Sequence, residues 1–362
     1  MKKIIVSVTN DLTTDQRVAK VCDSLKSADF EILLIGRKLK NSLPLERDYK
    51  TKRIRLLFNK GFLFYATYNC RLFFILLFTK ADILLANDLD TLLPNYLVSK
   101  LKKQKLVYDS HELFPEIPEL VHKKFVKNIW SKLEGFFVPK IENCYTVCDS
   151  IANYYKNKYQ TKFKVIKNLP LQKNRTKTDT LAFKTNHKKI ILYQGSVNLG
   201  RGLELIIETM PYLPNYVLLI VGTGDIIEDL KQLVQDKNLQ QQVNFLGRKT
   251  PSELQQITPI AKLGISLEED LGLNYRYALP NKIFDYIQAE VPILVSNLPE
   301  MKQIVTHYNV GEIVQHRKPE KLAEQIKNLA EKDFKAALKN AKETLIWEQQ
   351  EDKLLTIFKN LV

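Results

Sequence analysis

Short apolar runs alternate with amphipathic stretches along most of the chain. Lys3–Val8 is apolar almost throughout and stops at Asn10 and Asp11, as a strand buried on both faces does. Asp15–Ser27 then spaces Val18, Val21, Cys22 and Leu25 at helical intervals on one face. The same alternation predicts strands at Glu31–Ile35, Asp82–Ala86, Lys105–Tyr108, Asn143–Val147 and Lys164–Ile166. Between 171 and 189 it lapses into LQKNRTKTDTLAFKTNHKK, a polar, basic, aperiodic stretch of linker character. Strands resume at Ile190–Gln194, Tyr216–Val221, Val243–Leu246, Leu263–Ser266 and Pro292–Val295, and helices at Glu320–Ala330 and Phe334–Lys359 close the chain. Strand–helix alternation requires parallel sheets covered on both faces. The expected fold is therefore α/β, with two Rossmann-like doubly wound domains, 1–172 and 188–344, joined by 173–187. Ligands bind such sheets at the carboxyl ends of the strands, which predicts a site in a central cleft that both domains face.

Composition narrows the classes. The 362 residues are 45% apolar and 26% charged, which excludes a disordered or collagen-like chain. A net charge of +15 suits nucleic acid, an anionic membrane surface or a phosphate-bearing substrate, or simply solvated lysine faces. No helix-turn-helix, RNA-binding or zinc pattern accompanies it, so nucleic acid is not expected. Cys22, Cys70, Cys144 and Cys148 form no CxxC pair, which predicts reduced thiols in a cytoplasmic protein and no structural metal. The opening MKKIIVSV is too short for a signal peptide. The longest apolar run, Leu72–Phe78, falls far short of the roughly 20 residues of a span, so no membrane crossing is expected. Residues 58–80 are nonetheless dense in aromatics beside Lys60, Arg71 and Lys80, a pattern shared by core-facing helices and by helices on an anionic membrane surface. Lys123, Lys124, Lys127 and Lys132 beside Phe125 and Trp130 extend it.

Three strand–glycine–helix junctions mark the second half. YQGSVNLGRG (193–202) places Gly195, Gly200, Gly202 and Arg201 before a helical pattern, as an anion site or as an ordinary turn with a surface arginine. VGTGDIIEDL (221–230) lacks the third glycine of a dinucleotide fingerprint. In ALPNKIFDY (278–286), Lys282 and Asp285 share a helix face: a surface pair, or a cation for an anion with a carboxylate for a diol. In the first half, DSHELF (109–114) puts His111 and Glu112 just after a strand, and Asn87 and Asp88 follow another. Asp88-Leu89-Asp90 has DxD form but is not read as a metal site.

In order and spacing, DQRVAKVCDSL (15–25), ANDLDTLLP (86–94), LVYDSHELFPE (106–116), VIKNLP (165–170), YQGSVNLGRG, VGTGD, VNFLGRK (243–249), LPNKIFDY (279–286) and WEQQEDKLLTIFKNL (347–361) resemble the family 4 glycosyltransferases of the GT-B fold, which are retaining enzymes. The resemblance covers nearly the whole chain. It implies a nucleotide-sugar donor, a UDP-sugar foremost, no metal or other cofactor, and a carbohydrate or lipid-linked acceptor in cell-surface polysaccharide assembly. It also implies a last helix, about 345–362, that crosses back to the first domain. Localisation would be cytoplasmic, peripheral on the inner face of the cell membrane. Arg201 and Lys282 would hold the donor diphosphate and His111 would lie by the transferred sugar, the three expected catalytic residues. Asp285 would bind the ribose, Arg248 and Lys249 would lie near the base, and Gly195, Ser196, Gly200, Gly202, Gly222, Tyr277, Leu279 and Asn281 would line the donor. Asn10, Asp15, Arg17, Asp88 and Glu112 would face the acceptor. Tyr277 stands where the family carries the first acidic residue of its ExxxxxxxE pattern, and Glu268, Glu269 and Asp270 could replace it only through a longer loop. A nucleotide-sugar epimerase and a non-catalytic nucleotide-sugar binder are the alternative functions.

Overall fold

The apolar runs form two all-parallel sheets. The computed structural model describes residues 1–117, 120, 123–172 and 187–361. Its first sheet holds β1 (Lys3–Asp11), β2 (Glu31–Lys38), β3 (Lys50–Arg55), β4 (Ile83–Asn87), β5 (Lys105–Ser110), β6 (Asn143–Thr146) and β7 (Phe163–Val165), in the order β3-β2-β1-β4-β5-β6-β7. The second holds β8 (Lys189–Gln194), β9 (Tyr216–Val221), β10 (Val243–Gly247), β11 (Leu263–Ser266), β12 (Ile293–Val295) and β13 (Gly311–Ile313), in the order β10-β9-β8-β11-β12-β13. Each order reverses beside its first strand, between β1 and β4 and between β8 and β11. Such a switch point leaves a crevice at the strands' carboxyl ends.

The chain divides into two units, Met1–Asn168 with Gln349–Val362, and Leu169–Glu348. The expected linker 173–187 lies, apart from His187, outside the described residues. Unit 1 carries α1 (Gln16–Ser27), α2 (Gly61–Phe78), α3 (Leu89–Leu101), α4 (Lys124–Phe137) and α5 (Asp149–Tyr159). Unit 2 carries α6 (Leu203–Thr209), α7 (Ile227–Asp236), α8 (Pro251–Ile257), α9 (Leu273–Arg276), α10 (Asn281–Gln288), α11 (Pro299–Tyr308), α12 (Pro319–Ala330) and α13 (Lys335–Thr344). The last helix, α14 (Glu348–Lys359), brings the chain back to unit 1, where the Phe358 ring meets Phe30 edge-on at 6.4 Å.

Three features depart from the sequence pattern. β3 (KTKRIR) buries only Ile54, because it is an edge strand, and so leaves no apolar run to read. The helix expected over Phe334–Lys359 breaks between α13 and α14, where Leu345, Ile346 and Trp347 turn inward and the Trp347 N–H donates to the Pro170 carbonyl at 2.7 Å. Tertiary burial there outweighs helical propensity.

The third feature is α2. The apolar character judged too short for a span continues through the whole 18-residue helix, at a mean hydropathy of 1.5, long and apolar enough to cross a membrane by length and composition. Its inner stripe is nevertheless built into unit 1. Phe64, Tyr68, Leu72 and Leu76 recur at the i, i+4 interval and pack on Ile5, Ile35, Ile54, Leu84 and Val98. The Tyr68 hydroxyl donates to the Val8 carbonyl, and Lys102 donates to the carbonyls of Leu76, Leu77 and Thr79 at the helix C-terminus. Lifting four such side chains off the sheet would cost about 6–12 kcal/mol.

Candidate functional site

In unit 2 the switch point gathers the predicted cations. Lys282, in the first turn of α10, is 7% exposed, and its Nζ lies 2.7 Å from Glu268 Oε1. Arg201 Nη1 lies 3.8 Å from the same oxygen, at 26% side-chain exposure. Aromatic faces support both cations: Lys282 Nζ lies 4.0 Å from the centre of the Tyr193 ring, and the Arg201 guanidinium carbon lies 5.1 Å from that of Tyr275. Burial pushes the Glu268 carboxyl up, but Lys282 outweighs it with hydrogen bonds from Lys282 and Ser266, so Glu268 is held ionised below the usual range. Burial, with some help from Arg201, draws the Lys282 ammonium below the usual lysine range against the pull of Glu268. Two cations facing one carboxylate leave a surplus positive charge.

The glycines build the loops around this cluster. A Cβ on Gly222, at φ +144°, would stand 1.8 Å from the Gly195 carbonyl oxygen, so the loops after β8 and β9 pack backbone against backbone. A Cβ on Gly202, at φ +71°, would stand 2.2 Å from the Leu267 carbonyl oxygen. The loop after β8 thus lies directly on the loop after β11, which carries Glu268. The Glu269 N–H donates to the Gly200 carbonyl at 2.8 Å, and the Tyr275 hydroxyl to the Leu199 carbonyl at 2.7 Å. Arg317 braces the Glu268 loop from the other side by donating to the Leu267 carbonyl and the Ser296 hydroxyl.

Asp285 is exposed one turn along α10, where Gln194 at the end of β8 donates to it at 3.1 Å. The Thr258 hydroxyl donates to the Gln194 side-chain carbonyl at 2.9 Å, which turns the amide N–H₂ toward Asp285. Arg248 is exposed just after β10, whereas Lys249 is drawn to Glu253 at 3.1 Å, inside the capping box of α8. Ser196 is exposed beside Gly195, and Asn281 opens α10. Leu279 packs against the unit 2 core, and Tyr277 caps α9.

The carboxylate that meets Arg201 and Lys282 is Glu268, from the loop after β11. Glu268 was only a remote option in the sequence, and Gln194, Tyr193 and Tyr275 were not singled out. Glu268 had one legible signal, a carboxylate two residues past the carboxyl end of a strand. Lys282, expected to meet the diphosphate directly, is committed first to Glu268 and retains two further N–H donors.

Unit 1 assembles a different cluster at its own switch point. Arg17 donates to both Asp109 oxygens, at 3.1 and 2.9 Å, and to the Ile166 carbonyl at 3.0 Å. His111 Nε2 lies 3.0 Å from Asp109 Oδ2, and its Nδ1 lies 3.1 Å from Asp88 Oδ2. The His111 backbone N–H also donates to Asp88 at 2.8 Å. Asp88 takes φ +57°, a strained value for a residue with a side chain, and the network over-determines it. Burial pulls the His111 pKa down, but Asp88 and Asp109 outweigh it and raise the imidazole well above its ordinary value. His111 is thus an imidazolium with a carboxylate on each ring nitrogen, which leaves no free nitrogen for a general base.

The remaining acceptor-side candidates divide. Arg17, expected to face an acceptor, is 5% exposed and locked to Asp109. Asp15 is the N-cap of α1, accepting from the Val18 N–H at 3.0 Å and from Asn10 Nδ2 at 2.9 Å. Asn10 is exposed, and Glu112 is half-buried with its carbonyl accepting from Ser110. The two carboxylates of the DxD form diverge: Asp88 meets His111, while Asp90 turns inward to Thr9, where burial and Asp88 push its pKa up to about 8. Among the described residues, no group of three or more His, Cys, Asp or Glu side chains could hold a metal ion.

Residues 176–344 match the family model of the glycosyl transferases group 1. No curated protein matches the chain by sequence. Among solved structures, it is similar to sucrose-phosphate synthase from Thermosynechococcus elongatus, with a TM-score of 0.81 at 14% identity over 100% of this chain and 99% of that one. It is similar to Anabaena HepE in complex with UDP and glucose, with a TM-score of 0.72 at 14% identity over 99% of this chain and 100% of that one. It is also similar to the lipopolysaccharide outer core galactosyltransferase WaaB, with a TM-score of 0.67 at 12% identity over 98% of this chain and 99% of that one. The fold of the chain is GT-B.

Proposed function

We propose that the chain, whose residues 176–344 match the family model of the glycosyl transferases group 1 and whose fold is GT-B, is a glycosyltransferase that transfers a sugar from a nucleoside diphosphate sugar to a carbohydrate acceptor, with retention of configuration, in the assembly of a surface glycan. The observation that carries this is the meeting of Arg201 and Lys282 on the single carboxylate of Glu268, at the switch point of the second sheet.

Breaking the bond between the anomeric carbon and the diphosphate oxygen leaves negative charge on the leaving group. Fixed cations that meet this charge as it develops lower the barrier. Arg201, half-buried, held loosely by Glu268 and laid on Tyr275, has the forked donor set for the diphosphate oxygens. Lys282 adds a second positive charge at a fixed position, because Glu268 and the Tyr193 ring hold it. Asp285, oriented by Gln194, accepts hydrogen bonds from the ribose diol. The acceptor oxygen bonds to the anomeric carbon on the face the diphosphate leaves, and the acceptor proton passes to a diphosphate oxygen. Retention then needs no protein nucleophile. In unit 1 the His111 imidazolium fixes Asp88 and Asp109, which orders that switch point for sugar hydroxyls. The UDP-glucose complex of HepE makes UDP-sugars the first donors to test.

The test is a thermal-shift screen against UDP-, GDP-, ADP- and dTDP-sugars, followed by product analysis with and without acceptors. A donor that binds only the folded state raises the melting temperature by mass action. One nucleotide class is expected to do so, and Arg201→Ala is expected to abolish the shift. No shift with any donor would overturn the proposal, and sugar conversion without acceptor would make the protein an epimerase.

A further inference from the structure

The outer face of unit 1 presents a surface that the transfer reaction does not use. α2, α3 and α4 make up about an eighth of the chain, yet eleven of the nineteen exposed large apolar side chains among the described residues lie on them. The helices form one layer: α3 packs against both neighbours, and Tyr65 of α2 meets Trp130 of α4 at 5.1 Å. On α2 the outward arc holds Phe62 (80% exposed), Phe74 (51%) and Phe78 (81%), with Leu97 on α3 and Phe125 (78%) on α4 continuing it. A monomer seldom exposes so continuous an apolar area without a use for it.

The charges select the occupant. The three helices contain two carboxylates, Asp90 and Glu134, and both are buried. Their exposed charges are all positive: Arg71, Lys100, Lys124 and Lys132. Beside α2, the edge strand β3 and the helix line a shallow, open cavity whose floor is largely apolar, with Ile54, Phe74 and Ile75 beside the side chains of Lys52, Arg53, Arg55 and Arg71, and Phe74 lies also on the apolar arc. A second copy of this face would set cations against cations. An anionic bilayer offers acyl chains to the aromatics and, in its headgroup layer, phosphates to the cations at the cavity.

We propose that the α2–α3–α4 face of unit 1 docks on an anionic lipid bilayer, with α2 lying in the interface and the β3–α2 cavity holding lipid headgroup phosphates. The helix lies on the bilayer rather than across it, because Phe64, Tyr68, Leu72 and Leu76 remain in the core of unit 1. Such docking would hold the enzyme beside lipid-linked acceptors, although the surface stands independently of the transfer reaction.

The test is co-sedimentation of the full chain with phosphatidylcholine vesicles, with and without phosphatidylglycerol. Binding is expected to require the anionic lipid and to weaken with salt. The triple substitution Phe62→Ser, Phe74→Ser, Phe78→Ser is expected to lower binding at least tenfold, with the melting temperature and donor-nucleotide binding unchanged, since all three rings are exposed. Arg55→Glu with Arg71→Glu is expected to remove the preference for anionic lipid, while free inorganic phosphate does not compete. Equal binding to neutral vesicles, binding indifferent to the phenylalanines, competition by free phosphate, or a dimer that the triple substitution dissociates would each overturn the proposal. Loss of donor binding alone would bear on the transfer reaction and leave the lipid surface standing.

Discussion

The two sheets reverse their strand order at equivalent points and arm them in opposite ways. In unit 2, Arg201 and Lys282 share one carboxylate, so the cluster has a positive charge to spare. In unit 1, Arg17 and the His111 imidazolium face Asp109 and Asp88, so the charges balance within the protein. One topology thus carries an unbalanced positive cluster at one switch point and a balanced set at the other, through the count of carboxylates there.

Removing one charge from the unit 2 cluster is the severest test of that contrast. Lys282→Met leaves the buried Glu268 with only the Ser266 hydroxyl at 2.7 Å and Arg201 at 3.8 Å, and the denaturant midpoint is expected to fall by the equivalent of about 3–5 kcal/mol. Lys282→Met combined with Glu268→Gln should recover most of that stability while donor binding stays lost. A single variant as stable as the parent would show that the pair is well hydrated. Arg201→Ala is expected to lower turnover by about 10²–10³-fold, with little change in melting temperature. Turnover within a few-fold of the parent would remove Arg201 from the leaving-group site.

Smaller effects sharpen the comparison. Gly222→Ala drives a Cβ into the Gly195 carbonyl at a left-handed φ, so a destabilisation of roughly 1–3 kcal/mol is expected. Unchanged melting would mean that the two loops separate easily. An effect of similar size, confined to the acid range, is expected of His111→Asn, at roughly 1–3 kcal/mol. The folded-state pKa of His111 is raised, so its contribution is fully present below the unfolded value near 6.5 and disappears as pH rises through the folded value. The gap between parent and variant should therefore narrow toward alkaline pH. A gap that widens with pH would show that His111 is not held as a cation.

Much of the fold was legible because buried parallel strands are apolar almost throughout, as Ile83–Asn87, polar only at Asn87, and Tyr216–Val221 are. β3 was not, since an edge strand with one buried residue carries no such run. Within the candidate site, Arg201 stood in a strand-to-helix junction and Lys282 in a helix's first turn with Asp285 one turn on, positions that left a surface reading open until the family resemblance gave them roles. Glu268 and Gln194 were given no such roles, because each acts through a partner distant in sequence: Lys282 for one, Asp285 and Thr258 for the other. Arg17 shows the converse, a residue marked by position that is consumed by a buried pair with Asp109.

The sequence alone determined the alternation of strand and helix, and with it two doubly wound sheets, because the period of apolar residues is a local property of the chain. Only the tertiary structure decided which charges meet, and so which switch point keeps a surplus cation. It also decided that α2 keeps one stripe in the core and turns a second, equally apolar one outward. Both outcomes depend on groups brought together from distant parts of the chain, and no local pattern encodes that pairing.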